Sequence, residues 1–323
     1  MIKKILLGVL ILLVVAIAGL FTYFYGFLPK TRPAPDVKAP STPEAIERGR
    51  YLAHHVLGCV GCHSDIDEER PGDHLVEGTL LSGRVFPVPA DFPGTLVAPN
   101  LTPDPETGIG QWTDGEILRA MREGVSRDGR TLFPQMNYGA FKHLPDDDAL
   151  AVIAYLRSVK PIKRAPGRSE IKFPVSMFIR AAPAPLEAPP PPLPTEQVAR
   201  GEMLIKLMSC ADCHTPMEKG APVEGMYMAG GFCFEGRFGK ACSPNITSHK
   251  ASGIGSMSDD DLMRVFREGK GKDGRMLWVM PWALYSGTTE EDLRAVIAAL
   301  RKVPENPALA PASEIKAEYK DRR

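Results

Sequence analysis

The chain repeats itself, and this constrains its fold more than any other feature. Residues 98–130, "APNLTPDPETGIGQWTDGEILRAMREGVSRDGR", align without a gap to residues 243–275, "SPNITSHKASGIGSMSDDDLMRVFREGKGKDGR". Both copies carry Pro-Asn, a threonine two further on, Gly-Ile-Gly, Arg-Glu-Gly and Asp-Gly-Arg. With one residue deleted, the match continues through 133–158 and 278–302. A solenoid would show more copies at a shorter period, so this is a domain duplication. The 323 residues leave room for two domains, each with its own core.

Within each copy the pattern is helical, and an all-α fold is expected. Thr42 with Pro43 in the first turn, and Thr195 ahead of Glu196, read as helix starts. Thr113 with Glu116 forms a capping box, and Ser258 begins the equivalent helix. A third helix carries apolar residues at helical spacing: Leu150, Ile153 and Ala154 in one copy, Leu293, Val296, Ile297 and Leu300 in the other. No alternating run of any length argues for a sheet. The acidic clusters Asp146–Asp148 and Asp259–Asp261 fall at helix starts, where the macrodipole favours them, and read as caps, not as a metal site.

The ends and joints differ in kind. Lys3 and Lys4 precede an apolar run from Ile5 to Leu28. As a helix it would extend roughly 36 Å, enough to cross a hydrocarbon core. The flanking lysines favour an inside N-terminus with the remainder on the extracytoplasmic side. A cleaved signal peptide is the competing reading, because Ala16-Ile17-Ala18 resembles a cleavage site; the run, however, stays apolar well beyond it. Residues 29–43 read as an extended, unpacked proline-rich tether. Residues 181–194, "AAPAPLEAPPPPLP", read as a polyproline spacer or a strip lying on both domains. The expected divisions are an anchor at 1–28, the tether at 29–43, domains at 44–165 and 196–305, a linker at 166–195 and a tail at 306–323. With 39 basic and 39 acidic residues the net charge is zero, which argues against nucleic acid as partner.

Each copy also opens on the same device, "CVGCH" at 59–63 and "CADCH" at 210–214. Two cysteines one helical turn apart can meet the two vinyl groups of a haem, and a histidine directly after them can turn under the ring to the iron. A thioredoxin-like redox pair would not require the histidine, and a zinc site would need further close Cys/His pairs, which are absent. Two covalently bound haem c groups are therefore expected, through Cys59 and Cys62 and through Cys210 and Cys213, with His63 and His214 as iron ligands. Met136 and Met280 occupy equivalent loops, after Asp-Gly-Arg and before the last helix, and are the expected sixth ligands. A methionine is by default a core filler; matched repeat positions lift these two above that. His54 and His55 read as solvated or packed at a haem edge, and His74 and His249 as loop residues with no specific role. Carbonyls of the recurring Pro99-Asn100 and Pro244-Asn245 could orient the two histidines. Cys233 and Cys242 belong to the second copy alone and read as a disulfide outside the cytoplasm.

Taken together, "ERGRYLAHHVLGCVGCH", the 98–141 stretch and "ARGEMLIKLMSCADCHTP" resemble bacterial multihaem class I c-type cytochromes, in particular the cytochrome subunits of membrane-bound alcohol and sugar-acid dehydrogenases. The resemblance implies two cytochrome c folds in series with His63/Met136 and His214/Met280 as axial pairs. It also implies passage of electrons from a periplasmic dehydrogenase toward quinone or an oxidase, and the relay expected here runs from a dehydrogenase or quinol-oxidising donor to an acceptor such as a terminal oxidase. "EIKFPVSMFIRAA" (170–182) is similar to that family's inter-domain segment. Those subunits typically carry three such motifs, where this chain has two, and its apolar segment is N-terminal. An electron carrier is the expected function. The alternative is a dihaem enzyme, peroxidase-like or thiosulfate-oxidising, with one reactive haem.

Overall fold

The computed structural model describes residues 1–218, 220–320 and 322. Twelve helices are described: α1 (Ile2–Thr22), α2 (Pro43–Tyr51), α3 (Cys59–His63), α4 (Asp114–Glu123), α5 (Tyr138–Phe141), α6 (Asp146–Ser158), α7 (Val175–Phe178), α8 (Gln197–Leu207), α9 (Cys210–His214), α10 (Asp259–Glu268), α11 (Trp282–Tyr285) and α12 (Glu290–Leu300). The expected caps of α2, α4 and α10 are present: Thr42 accepts from Ala45, and Thr113/Glu116 and Ser258/Asp261 close reciprocal boxes. The start of α8 differs from expectation. Its cap is Glu196, not Thr195, because the longer carboxylate reaches the amides of both Val198 and Ala199.

The duplicated frame is a crossing of each copy's first and last long helices, α2 on α6 and α8 on α12. Glycine makes both crossings possible. A Cβ on Gly49 would lie 1.8 Å from the carbonyl oxygen of Ala151, and one on Gly201 would lie 1.9 Å from that of Ala295. Beside the contact Arg48 pairs with Asp148 at 2.8 Å, and Arg200 with Asp292 at 2.6 Å. Leu52, Val56, Val152 and Ile153 on one side, and Leu204, Leu207, Leu293 and Ile297 on the other, join one continuous apolar cluster. The core therefore runs through both copies without a break.

The all-α expectation is too simple. Short antiparallel ladders hold the loops, pairing Arg84–Val85 with Val97–Ala98, Gly94–Thr95 with Glu170–Ile171, and Met217–Glu218 with Ala221–Pro222; a three-stranded ladder joins Cys233–Gly236, Gly239–Cys242 and Glu314–Ile315. Strands of two to four residues leave no alternation to read in a sequence. Two of the ladders extend the repeat. "SEIK" occurs at 169–172 and again at 313–316. Ser169 Oγ accepts the amide of Val97 and Ser313 Oγ that of Cys242, each at 2.9 Å. Gly94 packs on the Glu170 carbonyl as Gly239 does on that of Glu314. Residues assigned above to linker and tail are thus bonded into the two copies.

The segment at 29–43 also packs, contrary to expectation. Asp114, at the start of α4, accepts the amide of Ala39 at 2.8 Å; Gly115, lacking a side chain, admits the carbonyl of Pro35; Arg32 pairs with Glu123 at 2.5 Å. Proline removes amide donors but leaves carbonyls and apolar rings that a helix N-terminus and a core edge can take up. Val37 and Ala39 reach the core accordingly.

The copies meet reciprocally. Asn137, directly after Met136, donates to Ser209 and Asp212 around the second CxxCH motif. From the other side, a Cβ on Gly61 in the first motif would meet Leu284 of α11, which follows Met280. His55 Nδ1 bonds the Leu284 carbonyl at 2.6 Å, Thr288 donates to the His55 carbonyl at 3.0 Å, and Tyr51 donates to Asp292 at 2.5 Å. Gly72 clamps the joint, donating to the Trp278 carbonyl and accepting from Ala283, each at 3.1 Å, with Trp282 lying over its Cα.

Candidate cofactor sites

Local backbone sets both motifs in the same way. α2 continues as a wider turn over Leu52–Val56, Gly58 then takes φ +64°, and α3 begins at once with Cys59. In the second copy Ser209 takes φ +60° and α9 begins with Cys210. This left-handed residue is costly for serine, and the Asn137 contact holds it. Each short helix then places its two thiols one turn apart with the histidine immediately after.

The two histidines are fixed by the same bond. His63 Nδ1 lies 2.7 Å from the Pro99 carbonyl and His214 Nδ1 2.8 Å from that of Pro244. A carbonyl only accepts, so Nδ1 carries the proton and Nε2 keeps its lone pair for a metal. Asn100 and Asn245 hold those carbonyls in place. The Asn100 amide donates to the carbonyls of Ile162 (2.7 Å) and Arg164 (3.1 Å), that of Asn245 to Asn306 (2.8 Å) and Ala308 (3.0 Å). Each side-chain oxygen takes the backbone amide two residues on, at 2.9 Å. The carbonyl expected from sequence is therefore present in both copies.

Electrostatics favour neutral donors. Burial lowers the His63 pKa to about 4 against the opposing pull of the Pro99 bond, and His214 shifts the same way for the same reason. Burial pushes the thiols of Cys59 and Cys210 up to about 12 and that of Cys213 to about 11; Cys62 is also raised. Such thiols stay protonated and are poor thiolate nucleophiles, which argues against a redox pair. Nor do the described residues contain a cluster of three or more His, Cys, Asp or Glu suited to a bare ion.

These donors fit haem, whose ring supplies four iron ligands and leaves two axial positions to the protein. Cys59, Cys62, Cys210 and Cys213 are not in disulfides. The thioethers of Met136, at the end of the turn Pro134–Met136, and of Met280, just before Pro281, pack against the core. Arg84 Nε is buried without a partner, and its charge is felt by Cys62, His63 and Asp73. An anion such as a haem propionate would answer it.

Three of the remaining histidines have hydrogen-bond partners in the protein. His54 Nε2 lies 2.6 Å from the Tyr155 hydroxyl, His55 bonds the Leu284 carbonyl, and His249 bonds Ser252 at 2.7 Å. His74 packs edge-on against Trp282. Trp278 is buried against Phe238 and Tyr319, a plain core role. Cys233 and Cys242 form the expected disulfide across paired strands. Sequence reasoning missed Asp73 and Tyr285. Tyr285 is half-buried, its pKa is driven upward by desolvation of the hydroxyl, and it senses Cys210 and Cys213 from one motif and Cys62 from the other. Asp73 is likewise felt by both Cys62 and Cys213. No spacing rule marks such residues, because only the contact between copies brings them together.

Paired cysteines followed by an oriented histidine, on crossed helices stabilised by matching glycines, define a haem-bearing electron-transport protein. A family model for cytochrome c matches residues 46–160. Over 312 residues the chain is 30% identical to a diheme cytochrome c-type protein of Cereibacter sphaeroides, covering 92% of this chain and 97% of that one. It is 31% identical over 288 residues to the cytochrome subunit of fructose dehydrogenase from Gluconobacter japonicus, covering 85% of this chain and 56% of the subunit. It is 30% identical over 277 residues to the cytochrome c subunit of a quinone alcohol dehydrogenase from Gluconobacter oxydans, covering 81% and 55%. The chain thus spans about half the length of those two subunits. It belongs to the cytochrome c family.

Proposed function

We propose that the chain is a membrane-anchored dihaem electron carrier built from two tandem cytochrome c domains. One haem c would be attached at Cys59 and Cys62 with His63 and Met136 as axial ligands, the other at Cys210 and Cys213 with His214 and Met280. The observation that carries this reading is the same histidine geometry in both copies, Nδ1 on a proline carbonyl with the next asparagine bracing the loop. A His/Met pair fills both axial positions and limits the iron to electron transfer at a raised potential.

The protein's own contribution is to keep water from the iron, fix each imidazole, and hold the two sites against each other through Asn137, Gly61 and Tyr285. α1 and the turn to Phe27 form the one helix among the described residues long and apolar enough to cross a membrane; as an anchor it would leave both domains on the extracytoplasmic side. The dehydrogenase subunits among the relatives favour a dehydrogenase as donor, with electrons passing on to an acceptor such as a terminal oxidase. Near-infrared magnetic circular dichroism of the oxidised protein tests the ligands. Methionine-to-iron charge-transfer bands from two low-spin haems are expected; a single such haem beside a high-spin one would sink the pure carrier. One feature favours the enzyme reading for the second site. Pro281 follows Met280 at φ −77°, where the first copy has Asn137 in the left-handed region, so the two methionines are presented by different backbones.

A further inference from the structure

The segment after "SEIK" does different work in the two copies. In the second copy it turns inward, burying Tyr319 against Trp278. In the first it leaves two phenylalanines largely uncovered, Phe173 at 61% exposure and Phe178 at 53%. Both lie against the end of the apolar N-terminal helix. Phe173 stacks on Phe21 with ring centres 6.1 Å apart, and Phe178 meets Phe24 edge-on at 5.6 Å. Arg180 completes the joint, donating to the Phe24 carbonyl at 2.8 Å and to that of Leu28, with its guanidinium 5.2 Å above the Tyr25 ring.

Depth along the helix says what covers those rings. A span needs about 20 residues, and counting from Ile5, just inside Lys3 and Lys4, brings the outer boundary to about Phe24. Tyr23, Tyr25 and Phe27 are exposed there, which is the aromatic composition a membrane–water interface selects. Phe173 and Phe178 touch Phe21 and Phe24 and so share that depth. Lys30 and Lys172 stand exposed, one on each of the two segments, and basic side chains at this level reach lipid phosphates.

We infer that residues 173–180 form a second membrane-contacting element, seated against the end of the N-terminal helix at the outer headgroup–acyl boundary, with phospholipid as the ligand covering Phe173 and Phe178. This rests on the anchor reading of that helix. The strand Glu170–Ile171, bonded to Gly94–Thr95, ties the element to the first copy, so the first site would be held at a fixed attitude to the bilayer.

The test uses the full-length, haem-loaded protein in phosphatidylcholine–phosphatidylglycerol liposomes, with a nitroxide on V9C, F178C or E187C and collision measured against oxygen and a water-soluble nickel chelate. Glu187 is exposed on the spacer and serves as the water reference; Val9 reports the span. The expected result is a shift toward oxygen at positions 9 and 178 relative to 187. A lipid-like position 9 with a water-like position 178 overturns the inference and leaves the anchor standing. A water-like position 9 overturns the anchor and the inference with it. A label at 178 shielded from both reagents means that protein, not lipid, covers the patch, and also overturns the inference.

Discussion

The two copies agree closely in the helix crossing and in the loop that holds the histidine, and diverge at the turn that presents the methionine and in stretches that face a neighbour. The helix crossing, the Arg–Asp pair, the histidine–carbonyl bond and the asparagine brace recur within about 0.1–0.2 Å. Arg157 and Arg301 repeat a further detail: each bonds two carbonyls of the loop before its copy's middle helix and the first aspartate of that helix. The stretch after the histidine does not match. Leu81 docks on Ser64 seventeen residues on, whereas Met228 docks on Thr215 after only thirteen. The extra residues include Gly72 and Asp73, which face the other copy. The difference suggests that the histidine side of each site permits little drift, while the methionine turn and loops facing a neighbour, a membrane or a partner are free to specialise.

The largest test of that equivalence removes one imidazole at a time. His63→Ala and His214→Ala should each abolish the methionine charge-transfer band of one haem and leave the other's intact. If either variant silences both, the sites are not independent units. Gly49→Ala and Gly201→Ala come next. Alanine gains about 1 kcal/mol of helix propensity, but its Cβ would sit inside a backbone carbonyl that cannot rotate away. Net destabilisation of about 3 kcal/mol is expected for each, the upper part of the usual overpacking range, read by denaturant unfolding. A neutral result in one copy alone would break the symmetry of the frame.

The disulfide sharpens the contrast, because only the second copy has one. Removing it as a Cys233→Ser/Cys242→Ser pair frees a loop of about ten residues, worth roughly 2.5 kcal/mol in the chain-entropy model. The loss should fall on unfolding of the second copy and leave the His63 site's spectrum unchanged. A loss shared equally would mean that the continuous core makes the whole chain one cooperative unit.

Much of this was legible in the sequence, since spacing encodes local chemistry. Cys59, Cys62 and His63 lie within one turn, and Thr113 and Ser258 cap from three residues away. The second "SEIK" was also in plain view, but four residues carry little weight until the ladders to Gly94 and Gly239 show why serine and glutamate recur. The packing of residues 29–43 was not legible, because prolines announce an extended backbone and say nothing of what it lies against. Tyr285 and Asp73 were out of reach for the same reason: each stands between its own motif and the other copy's, which no local spacing reveals.

Asp73 gives the smallest effect and the most specific one. It stands in the loop peculiar to the first copy at φ +61°, where burial raises its pKa from 3.8 to about 6 and Arg84 pulls the other way. A carboxyl whose pKa rises on folding contributes stability that is fully present below 3.8 and is lost as the pH climbs through about 6. Thermal melts of the wild-type protein should therefore show a fall in Tm from this group between pH 4 and 7. Asp73→Asn keeps the shape and removes the proton, so its profile should be flatter and its Tm higher at pH 7.5. The second copy has no counterpart, so the missing slope would belong to the junction between the sites. An unchanged slope in the variant would mean that Asp73 is solvated in the loaded protein, with Arg84 engaged elsewhere.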